Sequence, residues 1–240
     1  MLSVHKIGGT SMSKFEDVLR NIVIGQAPEG DYYNRIFVVS AYNNVTNWLL
    51  EHKKTGEPGV YDLFVKNQDY QSALEDLLRK LIAINHQLDG IGLDLDAADA
   101  FIKDRVEQCK NYLVSLEEVL TSGYVNKQNI LLAAREILAS IGEAHSAFNS
   151  VNILQNNKIH ATFVDLCGFH DAEYLSIDER IKKAFQKLDC TSTIPVATGY
   201  TKGTEGIMRE FDRGYSEVTF SKIAVEVKAA EAVIHKEYHL

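Results

Sequence analysis

Val4-His5-Lys6-Ile7-Gly8-Gly9-Thr10-Ser11-Met12 sets a lysine, two adjacent glycines and two hydroxyls at the end of a short apolar run. A local account exists: glycine eases the turn from a strand into a helix, and Thr or Ser then caps that helix. A chemical account uses the same atoms differently. Backbone N–H groups at a glycine turn form an anion cradle, and the lysine adds a mobile positive charge. The order excludes the two commonest phosphate motifs, because the Walker loop has its lysine after the glycines and the dinucleotide fingerprint needs three spaced glycines. The choice between the two accounts therefore rests on the segments that follow.

Short apolar runs alternate with helical patterns along the chain. Strands are expected at Leu2 to Ile7, Arg35 to Ser40, His160 to Leu166, Thr193 to Ala197 and Ala232 to Lys236. Helices are expected at Lys14 to Gly25, Val45 to Lys54, Ser176 to Leu188 and Ser216 to Ala230. This alternation predicts an α/β fold, a mainly parallel sheet with helices on both faces, whose ligands bind at the carboxyl ends of the strands. Between the second and third strands lie two apolar stripes at helical spacing. One runs through Tyr70, Leu74, Leu77, Leu81, Ile84 and Leu88, the other through Ile102, Val106, Cys109, Leu113, Leu116 and Leu120. They predict an antiparallel helical pair inserted at about 62–125, with a coiled-coil contact to a second subunit as the alternative. A third helical stretch, from Asn129 to about Ile141, is read as ending before Gly142-Glu143, with a further helix through Ala144, Ala147, Phe148, Val151 and Leu154.

Composition narrows the class. The 240 residues are 45% hydrophobic and carry a formal net charge of −8, so a sizeable core is available and nothing draws the chain as a whole to nucleic acid or an anionic membrane. Cys109, Cys167 and Cys190 are widely spaced, as in a reducing compartment. With neither a signal-like amino terminus nor an apolar run of membrane-spanning length, a cytoplasmic location is expected. His235, Glu237 and His239 lack the order of a metal-binding helix, and no metal site is expected there.

Four segments put polar groups where such a sheet presents its ligand edge. They are Lys6 with Gly8, Gly9, Thr10 and Ser11; Ser40 with Thr46 and Asn47; Gly142-Glu143; and Gly199 through Arg213-Gly214-Tyr215-Ser216. Local readings compete at each: Thr46 and Ser216 as helix caps, Glu143 as an exposed first-turn glutamate. An arginine beside a helix start also suits a carboxylate ligand, because its planar fork binds both oxygens.

The order of these segments resembles that of the aspartate kinases of the amino acid kinase superfamily. The resemblance is carried by Lys6-Ile7-Gly8-Gly9-Thr10-Ser11, Val38-Val39-Ser40-Ala41, Val45-Thr46-Asn47, Gly142-Glu143, Gly199-Tyr200 and Asp212-Arg213-Gly214-Tyr215-Ser216-Glu217. It spans nearly the whole chain and is nearest to the subgroup associated with ectoine biosynthesis. What it implies is a three-layer α-β-α sandwich and transfer of the ATP γ-phosphoryl to the side-chain carboxylate of L-aspartate, with Mg²⁺ accompanying ATP. By the same resemblance Lys6 and Glu217 are catalytic, and Lys6, Gly8, Gly9, Ser11 and Gly199 bind phosphate. Ser40, Thr46, Glu143, Arg213 and Ser216 then bind aspartate, Glu143 its ammonium and Arg213 a carboxylate. A homodimer is the usual expectation for a soluble enzyme. Arg209-Glu210-Phe211-Asp212, Tyr215 and Glu217 depart from the family pattern, with Tyr215 standing for a glycine and Glu217 for an aspartate. Family kinases continue beyond a Thr-Asp pair, here Lys236-Glu237, so the kinase domain is expected to lack its carboxyl end and any ACT regulatory module. A catalytically silent aspartate-binding subunit and a kinase with another carboxylate acceptor are the alternative readings.

Overall fold

Buried on both faces, a parallel strand is a nearly continuous apolar run, and each of the five runs becomes a strand within a residue or two of the expected bounds. The computed structural model describes residues 1–27 and 31–236. Its strands are β1 (Ser3–Ile7), β2 (Arg35–Val39), β3 (Ala161–Val164), β4 (Ile194–Thr198) and β5 (Glu231–His235). They pair in parallel in the order β3-β4-β2-β1-β5, with Lys6 level with Val38 on one side and Ile234 on the other. At the β1–β5 seam, His5 Nδ1 and His235 Nε2 are hydrogen-bonded at 2.9 Å. Burial, and then the neighbouring His235 and Arg35, lower the His5 pKa to about 4.

The helices are α1 (Gly9–Met12), α2 (Phe15–Asp17), α3 (Val45–Leu49), α4 (Val60–Val65), α5 (Tyr70–Gln87), α6 (Leu95–Ser122), α7 (Lys127–Asn156), α8 (Ile177–Phe185), α9 (Ile207–Phe211) and α10 (Tyr215–Glu226). They cover both faces of the sheet, α7 running along β2, β3 and β4 and α10 along β1, β2 and β5. Among the described residues no helix is long and apolar enough to cross a membrane.

Besides α10, which ends at Glu226 rather than Ala230, three helices differ from expectation. The stretch after α1 is not one α-helix: α2 passes into a π-helical turn, Val18–Ile24, whose Ile22 and Val23 carbonyls accept hydrogen bonds from the buried Arg35 guanidinium at 3.0 and 2.6 Å. The helix from Val45 ends at Leu49, and an antiparallel bridge between Glu51 and Pro58 closes the loop that follows. The third correction concerns Gly142 and Glu143, which do not separate two helices but sit inside the single helix α7. Gly142 is there for close packing: a Cβ on it would lie 2.7 Å from the Ala41 Cβ and 3.2 Å from Val45 Cγ1.

The central stripes pack as an antiparallel pair. Tyr70, at the start of α5, donates to Glu117 near the end of α6 (2.8 Å), and Asn85, near the end of α5, donates to Asp99 near the start of α6 (2.9 Å). Their apolar faces are spent within the chain, α6 packing on both α5 and α7. The inner ends of α5 and α7 share a buried polar knot in which Asn85 Oδ1 meets His145 Nε2 at 2.7 Å and Asn149 Nδ2 at 2.8 Å.

Candidate active site

At the carboxyl ends of β1 and β2 the chain leaves a cleft of about 330 Å³. Lys6, Gly9, Ser40, Thr46, Glu143, Arg213, Ser216 and Glu217 all line it, so four segments far apart in sequence meet there. The last turn of β1 delivers Lys6, whose side chain is almost wholly buried. Its ammonium forms an ion pair with Glu217 at 3.0 Å, and Glu217 itself is half exposed. The buried stem fixes where the charge emerges, while the exposed carboxylate can yield to another anion.

The glycines act in two ways. A Cβ on Gly9 would stand 2.8 Å from the Ala41 carbonyl oxygen, so only glycine lets α1 start this close to the end of β2. Gly8 has its N–H committed to the His235 carbonyl at 3.3 Å, which leaves the first-turn amides from Gly9 onward as the donors without an intrahelical acceptor. Gly199 lies behind the cleft rather than in its lining; a Cβ there would meet Val39 O at 2.7 Å and Ser216 Oγ at 2.8 Å, so its absence lets Ser216 sit against the sheet. Ser11 is fully buried outside the lining, and its hydroxyl has no hydrogen-bond partner among the described residues.

Neither hydroxyl residue read locally as a cap is one. Asn44, in the left-handed region at φ 67°, stands at the start of α3 with Thr46 inside the helix, and Gly214 stands at the start of α10 with Ser216 inside it. Ser216 Oγ donates instead to Glu143 Oε1 at 3.3 Å, and Tyr215 Oη donates to Glu143 Oε2 at 3.2 Å. Glu143 is therefore not an exposed first-turn residue. Burial, opposed by hydrogen bonds from Tyr215, the backbone and Ser216, raises its pKa to about 7. Among the described residues it has no cationic partner within ion-pair distance, so a bound ammonium would supply the charge the site lacks.

Arg213 is held at the mouth. Its guanidinium donates to Asn47 Oδ1 at 2.6 Å, to Glu51 Oε1 at 3.0 Å and to the Glu51 carbonyl oxygen. Arg135 of α7 also binds Glu51, at 3.0 Å, and reaches Asp212 at 3.1 Å. Sequence reading missed Glu51 and Arg135, because their pairings join residues 77 or more positions apart and no local pattern marks them.

These features agree with the comparisons. The model of the amino acid kinase family matches residues 1–238. Aspartate kinase Ask_Ect of Stutzerimonas stutzeri (strain A1501) is 47% identical over 243 residues, covering all of this chain and 51% of that protein. Escherichia coli aspartokinase III, solved with aspartate and ADP in its R-state, superposes with a TM-score of 0.65 at 18% identity over 98% of this chain and 48% of its own. Its T-state complex with lysine and aspartate gives 0.60 at 21% identity, over 97% of this chain and 48% of its own. The chain thus spans about half the length of the relatives it matches. A parallel sheet with a lysine and glycine turn leaving β1, and a family match over nearly every residue, make the chain a member of the amino acid kinase family.

Proposed function

We propose that the chain is the acceptor-binding part of an aspartate kinase, which transfers the γ-phosphoryl of ATP to the side-chain carboxylate of L-aspartate to give 4-phospho-L-aspartate and ADP. The observation that carries this reading is the pairing of an anion-facing wall with an ammonium-facing one in a single cleft. Lys6 and the amides from Gly9 onward form the first, and Glu143 with Ser216 the second. An amino acid with a side-chain carboxylate has both charges, and 47% identity to a protein named aspartate kinase supports L-aspartate as that amino acid.

Both reactants are anions, and phosphoryl transfer depends on positioning and charge neutralisation more than on covalent participation by the protein. Lys6 would lie against the transferring group, exchanging Glu217 for phosphate oxygens. Gly9, at the cleft lining, would turn its backbone amide to them. Ser40, Thr46 and Ser216 offer hydroxyls to the acceptor, and Arg213 offers a guanidinium at the mouth. Mg²⁺ would arrive with ATP and neutralise its phosphates, held mainly by phosphate and water oxygens.

The test follows ADP release with Mg-ATP and L-aspartate, hydroxylamine trapping the acyl phosphate, for the 240-residue chain and its Lys6→Ala variant, alongside calorimetric titration with L-aspartate. Aspartate-dependent turnover that falls by roughly 10³-fold in the variant is expected. A folded chain that neither turns over nor binds L-aspartate would overturn the reading.

A further inference from the structure

We propose that Tyr215 is a positioning residue for the ammonium subsite, its phenol holding the Glu143 carboxylate in the orientation that receives a substrate ammonium. This rests on the function proposed above and goes beyond it, because Tyr215 is among the positions where the sequence departs from the pattern of the family it resembles.

Tyr215 opens α10 and is one of the largest wholly buried side chains in the molecule. A tyrosine so placed needs a partner for its hydroxyl. It finds Glu143 Oε2 at 3.2 Å across the cleft floor, and the Thr46 side chain reaches the same phenol from α3. The ring itself is fixed by Tyr200, edge to face at 5.9 Å. Tyr200 in turn donates to Glu136 at 2.6 Å, two turns before Glu143 on the same helix. The phenol is thus clamped at its ring and at its oxygen. With one carboxylate oxygen taken by Tyr215, the other by Ser216, and the Ala41 backbone N–H also donating to the carboxylate, Glu143 is held in one orientation at the cleft wall.

The hydroxyl also bears on charge. Burial disfavours the Glu143 carboxylate, and each hydrogen bond donated to it works in the opposite direction. The other ionisable groups around it are Lys6 on β1, Tyr42 after β2, Arg213 ahead of α10, Glu217 on α10 and Cys167 after β3. None of these is hydrogen-bonded to the carboxylate among the described residues. Tyr215 and Ser216 are therefore the side chains that sustain its charge.

Tyr215→Phe keeps the ring and removes only the oxygen. The experiment follows the Glu143 carboxyl by ¹³C NMR across pH, assigned by its disappearance in Glu143→Gln, and measures L-aspartate affinity by calorimetry at pH 7 and pH 9. We expect the Glu143 titration midpoint to rise by about half to one pH unit in Tyr215→Phe, from the loss of one hydrogen bond to a charged group. L-Aspartate affinity should weaken about three- to tenfold at pH 7 and by less at pH 9, where the carboxylate is ionised in both proteins. An unchanged midpoint in a folded variant would overturn the proposal, as would an L-aspartate affinity unchanged at both pH values. Failure of the parent chain to bind L-aspartate would remove the substrate reading alone, because the carboxyl titration reports on Tyr215 without any ligand.

Discussion

Glu143 and His145 stand two positions apart on α7, at 2% and 0% exposure, and the same physical cause moves their pKa values in opposite directions. Loss of water disfavours whichever form carries charge, raising Glu143 to about 7 and lowering His145 to about 3. Their neighbours separate them further. His145 faces the helical pair, where the neutral amides of Asn85 and Asn149 meet its Nε2. Glu143 faces the cleft with neutral donors and no cation among the described residues. One helix thus bears a polar group enclosed by the fold, its Nε2 partnered and its Nδ1 without a hydrogen bond among the described residues, and another that lines the cleft. Polar burial joins helices in the first case and, on the function proposed above, serves recognition in the second.

The sharpest way to break this comparison is to neutralise the cleft residue. Glu143→Gln should weaken L-aspartate binding by roughly a hundredfold, the scale of a lost ion pair in a buried site, while the melting temperature at pH 5, where Glu143 is largely protonated, changes little. A calorimetric titration beside a thermal melt checks both halves. An affinity within threefold of the parent would mean that Glu143 belongs with His145 among the architectural groups.

Next in size is the reciprocal change. His145→Ala opens a cavity and removes one of the two hydrogen bonds on Asn85 Oδ1, leaving that from Asn149, and a loss of about 2–3 kcal/mol is expected, or roughly 5–10 °C in melting temperature. The affinity for L-aspartate below the melt should stay within about twofold, because no atom of His145 lines the cleft. A stable variant with weakened binding would instead tie the polar knot to the site.

How much of this could be read from residues alone follows from the range over which each feature is determined. β1, β2 and β4 were legible because a parallel strand buried on both faces declares itself in consecutive residues such as Ile36, Phe37, Val38 and Val39, and the partly exposed outer strands β3 and β5 still carry short apolar runs. The helical pair was legible from its stripes for the same reason. Gly142 misled because glycine at helical spacing signals a break, whereas here it answers to Ala41 and Val45 across a packing interface. Thr46 and Ser216 resembled caps because capping is a local rule, but their hydroxyls turn toward the cleft and leave the helix starts to Asn44 and Gly214. The resemblance to a family supplied Glu143, and only the fold brings Tyr215, 72 positions away, onto its carboxylate. Residues whose partners are sequence neighbours were readable; those whose partners come from another segment were not.

The smallest expected effect tests the comparison through pH. His145, held below its ordinary value, adds stability that is present above pH 6.5 and is lost as pH falls toward about 3; His5, lowered to about 4, acts in the same sense. Glu143, held above its ordinary value, acts oppositely: its contribution is fully present below pH 4.5 and is lost as pH rises through about 7. The two slopes partly cancel between pH 4.5 and 6.5, where the parent chain should show a shallow dependence of melting temperature. Glu143→Gln removes one slope only. Its melting temperature, relative to the parent, should rise by a few degrees between pH 5 and pH 8, because up to about 3 kcal/mol of the parent's stability is withdrawn over that interval as Glu143 ionises. Saturating L-aspartate should erase much of that difference in the parent, since a bound ammonium favours the ionised carboxylate. Parallel pH profiles for the two proteins would mean that Glu143 ionises at its ordinary pKa, and that water, rather than a ligand's cation, already answers its charge.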